Sequence, residues 1–318
     1  MEEGGESSVS QEISTNLIVF LLASAFDILI GEPPVGIHPV VWIGRLISLL
    51  RKRASPTKLG GLLVATLVIA MTVSIGHLLV WVASQIPSAG YAAAVAVSAY
   101  LLKSTFAVRC LLQTSLDIGR TIDDDISQAK DMLPALVGRE TKDLTRSQAT
   151  SAVIESLSEN YVDSILAPIF YFLIFEPFGL GLEAALAFKA ISTMDSMLGY
   201  KTKGLKDLGY VPARLDDLAN FIPARLSIIL MAAANPSVAR NAIMTAFRYH
   251  RVTPSPNSGW PMSAAAGALS IRLEKPGFYV LLDEGREPET KDVPAAVRFV
   301  GATAALTLLA SALILFAN

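Results

Sequence analysis

Apolar residues in this chain are gathered into long runs, and three of the runs are long enough to cross a membrane. Residues 61–86 are apolar apart from Ser, Thr, His77 and Gln85. Residues 91–112 are rich in Ala and Val and carry Lys103 and Arg109 near their end. Residues 294–317 are apolar except for Arg298. Each run reaches the ~20 residues that cover a ~30 Å hydrocarbon core and predicts a transmembrane helix. A shorter run, residues 21–30, contains Asp27, and the stretch from Asn16 reads as a retained membrane segment. Residues 165–191 are apolar but interrupted by Glu176-Pro177, Gly179 and Gly181. Each half is too short to span, so a helical hairpin or re-entrant pair is predicted there. Residues 224–234 form a further short run, expected to be buried in protein or to lie at the interface.

Composition agrees. Of 318 residues 52% are hydrophobic and only 17% charged, against roughly 25% charged in an average soluble domain. The net charge of −2 and the lack of a basic patch with interleaved aromatics exclude a nucleic-acid partner. The lone Cys110 can form no intrachain disulfide and is read as a packing residue. The acidic start lacks the positive charge of a secretory signal, so residues 1–14 are expected to be a disordered tail, residues 15–293 a membrane-embedded catalytic domain, and residues 294–318 a C-terminal transmembrane helix. Arg51, Lys52, Arg53 and Lys58 place the first loop in the cytoplasm, and Lys201, Lys203, Lys206, Arg214, Arg240, Arg248 and Arg251 keep later polar segments on that face. The fold class expected is all-α: a polytopic integral membrane helical bundle with broken or re-entrant helices and a polar site facing the cytoplasm.

Acids and amides set beside apolar runs carry the chemistry, because an ionisable group at membrane depth costs several kcal/mol (roughly 3 or more) unless it is paired or hydrated. Asp27, Gly31, Glu32, Pro33, Pro34 and His38 close the first membrane run with two acids, a rigid turn and a histidine; the alternative is that Pro and Gly simply stop the helix. Glu155, Glu159 and Asp163 are spaced i, i+4, i+8 and share one helical face. Three like charges on one stripe repel without a cation, and oxygen ligands of this kind suit Mg²⁺; the alternative is a solvated face. Asp195 lies in residues 193–201, which end at Lys201. Arg214, Asp216, Asp217, Asn220 and Arg225 follow, the two arginines fit to clamp phosphate or carboxylate or else to close the bundle as internal ion pairs. Asn257 and Trp260 stand in a Pro-bounded loop, residues 255–261, suited to a binding rim. The Asp123–Asp125 run reads as a solvated face at a helix start. No phosphate loop, H-E-x-x-H, nucleophile elbow or Cys/His set is present.

Five of these blocks, in this order, resemble the adenosylcobinamide-phosphate synthases (the CobD/CbiB type) of cobalamin biosynthesis: DILIGEPPVGIHPVVWIGR at 27–45, IESLSENYVDSILAP at 154–168, TMDSMLGY at 193–200, RLDDLANFIPAR at 214–225 and SPNSGWP at 255–261. Ser192 stands where that family has Asn, and Glu32 where Asp is frequent. The resemblance implies a C–N ligase of the cell membrane that uses ATP and Mg²⁺. Its substrates are a corrinoid, adenosylcobyric acid, and (R)-1-amino-2-propanol or its O-phosphate, joined as an amide; it implies room for association with other late cobalamin-pathway membrane enzymes. On that footing Asp27, His38, Glu155, Glu159, Asp195 and Asp217 are the catalytic candidates. Lys201, Arg214, Asn220, Arg225, Asn257 and Trp260 are candidates for binding substrate, and Glu155, Glu159, Asp163 and Asp216 for holding metal. A transporter with its site at mid-membrane, or a non-catalytic membrane relative, are the competing readings.

Overall fold

The computed structural model describes residues 3–138, 140–199 and 205–317, with side chains from Thr15 onward. It is helical throughout apart from one short hairpin among the described residues. Five helical stretches are long and apolar enough to cross a membrane: Lys58–Ser84, Gly90–Asp124, Arg146–Phe178, Tyr210–Ala234 and Asp292–Ala317. The three spans expected from the sequence are among them, and Thr15–Leu29 is a shorter apolar helix. Two expectations are corrected. The broken segment begins well before residue 165, because the acidic stripe and the apolar run after it form one continuous helical stretch from Arg146 to Phe178. The predicted break is at Gly179, left-handed at φ 68°, whose N–H closes on Glu176 O at 2.8 Å. Residues 224–234 are likewise the second half of a stretch that begins at Tyr210. The polar motif residues hid both joins from a hydropathy reading.

The chain forms two compact units. The first comprises residues 1–107, 167–219 and 308–318. It contains α1 (Glu3–Leu29), α2 (Pro39–Arg51), α3 (Lys58–Ser84), α4 (Gly90–Lys103), α8 (Ala167–Phe175), α9 (Gly181–Leu198) and α10 (Tyr210–Ala219). Helix α1 takes in most of the segment expected to be a disordered tail, its backbone ladder continuing back from the apolar part. The core of this unit is built by Ile43 and Ile47 of α2, Val64 and Val68 of α3, and Ala190, Met194 and Leu198 of α9. Phe20 of α1 stacks on Phe172 of α8.

The second unit comprises residues 108–166 and 220–307. It holds α5 (Val108–Asp124), α6 (Ile126–Met132), α7 (Arg146–Tyr161), α11 (Phe221–Ala234), α12 (Ala239–Tyr249), α13 (Gly259–Leu269), a β1–β2 hairpin (Leu273–Lys275 with Tyr279–Leu281) and most of α14 (Asp292–Ala317). Helices α7 and α13 are buried on nearly every side, the mark of a central rather than an amphipathic helix. Gly267 lets α13 lie against α12, since a β-carbon there would strike Thr245 and Asn241. Helix α7 starts on a capping box, Thr145 with Gln148, and passes into a π-helical turn, Val162–Leu166. Asp125 caps α6 through Ser127 N and Gln128 N at 2.8 and 3.1 Å, so part of the acidic run has a structural task. Cys110 is exposed on α5, which corrects its reading as a packing residue.

Candidate functional site

In the first unit, Asp27 and Lys103 meet in the interior, 1% and 0% exposed. Lys103 sits at the last turn of α4, so its ammonium reaches back between α1 and the loop that follows it. Its Nζ lies 3.0 Å from Asp27 Oδ1 and 2.6 Å from Glu32 Oε1. Glu32 Oε2 is 2.8 Å from His38 Nε2, while His38 Nδ1 accepts the Val40 N–H at 3.2 Å and caps α2. An acceptor at Nδ1 fixes the proton on Nε2, where it is donated to Glu32. Burial alone would raise the Glu32 carboxyl, but hydrogen bonds from His38 and Lys103 outweigh it and hold the group below the usual carboxylate range. Both nitrogens of His38 are thus engaged, and Asp27 is half of an interior ion pair. This arrangement braces the loop that follows α1. Replacing His38 with Ala should cost about 1 kcal/mol through loss of the cap alone. His38→Asn should restore the cap but not the Glu32 contact, and denaturant unfolding of the two variants separates the contributions.

A second acidic group in this unit joins α9 to α10. Asp217 is ion-paired with Arg214 at 3.2 Å, an i, i+3 contact along one helix, with the arginine side chain largely exposed. Asp195 is pushed up to about 6, first by burial and then by the negative charge of Asp217. Gly199 crowds its carboxylate; a β-carbon there would collide with Asp195 Oδ1. The folded chain therefore holds this proton more tightly than the unfolded chain does. The stability it supplies is complete below the unfolded value of 3.8 and is lost as pH rises through about 6. In Asp195→Asn that part of the stability–pH curve should flatten, as measured by thermal unfolding in detergent between pH 4 and pH 7. Lys201 lies outside the described residues.

In the second unit, the acidic stripe occupies the C-terminal half of α7 and the π-turn. Glu155 is buried; its Oε1 accepts from Ser151 Oγ at 2.8 Å and its Oε2 from Tyr279 OH at 3.2 Å. Ser151 Oγ in turn accepts the Glu274 N–H at 2.7 Å, so the hairpin braces this acid from outside the helix. Glu159 and Asp163 are half-buried. Among the described residues no three His, Cys, Asp or Glu side chains are grouped so as to hold a metal ion. Of the expected set, Glu155, Glu159 and Asp163 belong to the second unit and Asp216 to the first. Asn220 is buried at the start of α11.

Arg225, Asn257 and Trp260 do come together in the second unit. Arg225 Nη1 donates to Asn257 Oδ1 at 3.1 Å and to Phe221 O at 2.6 Å. Its guanidinium lies 3.5 Å from the Phe221 ring centroid and 5.4 Å from that of Trp260. Trp260 is stacked on His250 at 3.9 Å and meets Phe247 edge-on at 5.3 Å. The loop is stiffened by Ser255 Oγ, which accepts from Asn257 N and Ser258 N. The partners that sequence reasoning missed are Lys103, Ser151, Tyr279 and His250. Only Lys103 gave a signal, as a cation at the end of an apolar run; the other three are ordinary polar residues made important by tertiary contact.

A profile of the protein family described as CobD/Cbib protein matches residues 20–308. The "Probable cobalamin biosynthesis protein CobD" of Methanothrix thermoacetophila is 52% identical over 303 residues, covering 93% of this chain and 96% of its own. The protein of the same name in Methanothermobacter thermautotrophicus is 39% identical over 92% of this chain and 96% of its own. The "Cobalamin biosynthesis protein CobD" of Photorhabdus laumondii is 35% identical over 94% and 97%. No solved structure matches.

Proposed function

Because the chain belongs to the CobD/CbiB family of cobalamin biosynthesis, we propose that it forms an amide between a propionate carboxyl of adenosylcobyric acid and (R)-1-amino-2-propanol or its O-phosphate, at the expense of ATP. The observation that carries this reading is the family match over residues 20–308.

A carboxylate is a poor acyl donor at neutral pH. In the proposed reaction a carboxylate oxygen attacks the γ-phosphorus of ATP, ADP leaves, and an acyl phosphate forms. The amine nitrogen attacks its carbonyl carbon, gives up a proton, and the C–O bond breaks. Inorganic phosphate departs with the oxygen that had belonged to the carboxylate. Magnesium, when bound, neutralises the phosphate oxygens on which charge moves. The donor set fits it only as a companion of the nucleotide, because Mg²⁺ bound through one or two carboxylates keeps its waters and its phosphate ligands. Glu159 and Asp163 are the acids of the stripe suited to that task, with Glu155 positioning the helix. Asp195, raised to about 6, is matched to accept a proton near neutrality. We place the polar groups at the cytoplasmic face, on the strength of the Lys and Arg distribution.

The test uses the full chain purified in detergent with adenosylcobyric acid, aminopropanol phosphate, Mg²⁺ and ATP, followed by mass spectrometry of the corrinoids. A product heavier by the amine less one water, absent when ATP is omitted, is expected. No such product, with an active preparation of a relative run alongside, removes the ligase reading.

A further inference from the structure

Residues 218–273 contain five arginines, no lysine and no acid. Helix α12 lies in the middle of this stretch and shows two unlike sides. Ala242, Thr245, Ala246 and Tyr249 are buried, and that side closes on α13 at Gly267. Arg240, Ile243, Met244 and Phe247 keep the i, i+3, i+4, i+7 spacing of the opposite side. The apolar members of that side are exposed, Met244 by 59% and Phe247 by 63%. Arg240 and Arg251 stand exposed at its two ends, ~17 Å apart along the helix axis. Among the described residues neither has a carboxylate partner, whereas Arg248, at the edge of the same face, is paired with Glu284 at 2.6 Å. An exposed apolar patch closed at both ends by an unneutralised cation is the signature of a surface made to be covered.

We propose that the outward face of α12 lies on the headgroup layer of a lipid bilayer and selects anionic phospholipid. Met244 and Phe247 insert below the headgroups, and Arg240 and Arg251 hold lipid phosphates. Position favours lipid as the occupant. Helix α12 has 11 residues, too few to cross a membrane, and it follows α11, which ends a stretch long and apolar enough to do so. From Ala234 to Ala239 the chain reaches at most ~18 Å, so α12 starts close to that stretch. Charge points the same way. Pairing with a second copy would set arginine against arginine, with no acid in residues 218–273 to separate them. A zwitterionic headgroup would bring its own ammonium to a face that carries no acid to receive it; a net anionic headgroup has no such mismatch. The planar guanidinium takes two phosphate oxygens at once. Its long stem lets the charge stay at phosphate level while the apolar neighbours sit deeper.

The test places the full chain in nanodiscs, one copy per disc, made of phosphatidylcholine alone or mixed with phosphatidylglycerol. A nitroxide on Met244→Cys, in a Cys110→Ser background, reports the surroundings of the face. Both side chains are exposed, so neither change empties a core, and Ile243→Cys serves as a second position if the first variant does not fold. The label should be relaxed more by oxygen than by a water-soluble nickel chelate, and nickel should reach it less in the discs with phosphatidylglycerol. In neutral detergent, native mass spectrometry should show phosphatidylglycerol bound more tightly than phosphatidylcholine. Arg240→Gln and Arg251→Gln should each weaken that binding about 5-fold. A label open to nickel in both kinds of disc means that the face lies in water and overturns the proposal. Protection from nickel in concentrated detergent solution but not in single-copy discs reveals a second copy as the occupant and overturns it too. Equal binding of the two lipids, or phosphatidylglycerol binding unchanged when both arginines are replaced, overturns the anionic selection. None of these readouts uses turnover, so their outcome is independent of the ligase reading.

Discussion

Replacing Lys103 with methionine should destabilise the protein by about 3–5 kcal/mol, the cost of removing one partner from a buried ion pair. Methionine keeps the apolar stem and deletes the charge. Asp27, 1% exposed, and Glu32 then face each other without the ammonium that lies 3.0 and 2.6 Å from them. The effect is large because water cannot reach Asp27 to replace the lost cation, whereas Glu32, 28% exposed, keeps its contact with His38. An exposed bridge such as Arg120 with Asp117 would lose 0–1 kcal/mol, roughly nothing, for the same change. Two measurements check this. Thermal unfolding in detergent gives the size of the loss. A second variant that adds Asp27→Asn to the methionine should recover much of it, since the two changes share one interaction and are not additive. A loss below about 1 kcal/mol would mean that the pair is hydrated after all.

The second large effect is expected on turnover. Glu159→Gln is isosteric, removes one negative charge from a half-buried stripe, and should lower kcat by about 10²-fold or more if that charge holds the metal–nucleotide complex. Loss of an interaction made chiefly in the transition state lowers kcat and kcat/KM together, and that is the pattern expected. Melting temperature is measured alongside, so that a loss of folding is separated from a loss of turnover. The corresponding change at Glu155 should behave differently. Its carboxylate is held by Ser151 and Tyr279, so Glu155→Gln should lower melting temperature as well as rate. Steady-state kinetics together with melting curves distinguish a catalytic charge at Glu159 from a positioning one at Glu155. If Glu159→Gln turns over at the wild-type rate, that residue has no part in the chemistry.

Much of the fold was legible because hydropathy is a local property. Spans at Lys58–Ser84 and Asp292–Ala317 follow directly from uninterrupted apolar runs. The same local reading failed at Arg146–Phe178 and Tyr210–Ala234, where Glu155, Glu159, Asp216 and Asp217 dilute the signal although the backbone stays helical through them. The loop that carries Arg225's partners was legible for a different reason. Its prolines and Asn-Ser-Gly turn residues are local devices, and Asn257 and Trp260 do meet Arg225 in space. The roles of His38 and Arg214 were not legible. Whether a histidine is a base or a cap depends on what lies near each ring nitrogen, and Lys103, at the far end of the network that engages it, is remote in sequence. Arg214 offered two readings, and its contact with Asp217 at 3.2 Å could be known only from the fold. The π-turn at Val162–Leu166 left no mark in the periodicity, because one extra residue in a turn changes the register without changing residue types.

The most direct measurement follows an oxygen atom. Adenosylcobyric acid labelled with ¹⁸O at both oxygens of the reactive carboxyl would be converted by the purified chain with ATP, Mg²⁺ and the amine, and the released phosphate analysed by mass spectrometry. Carboxyl activation by phosphorylation predicts one ¹⁸O in each phosphate released per amide formed. Phosphate free of label alongside product, or no corrinoid amide at all, would contradict it.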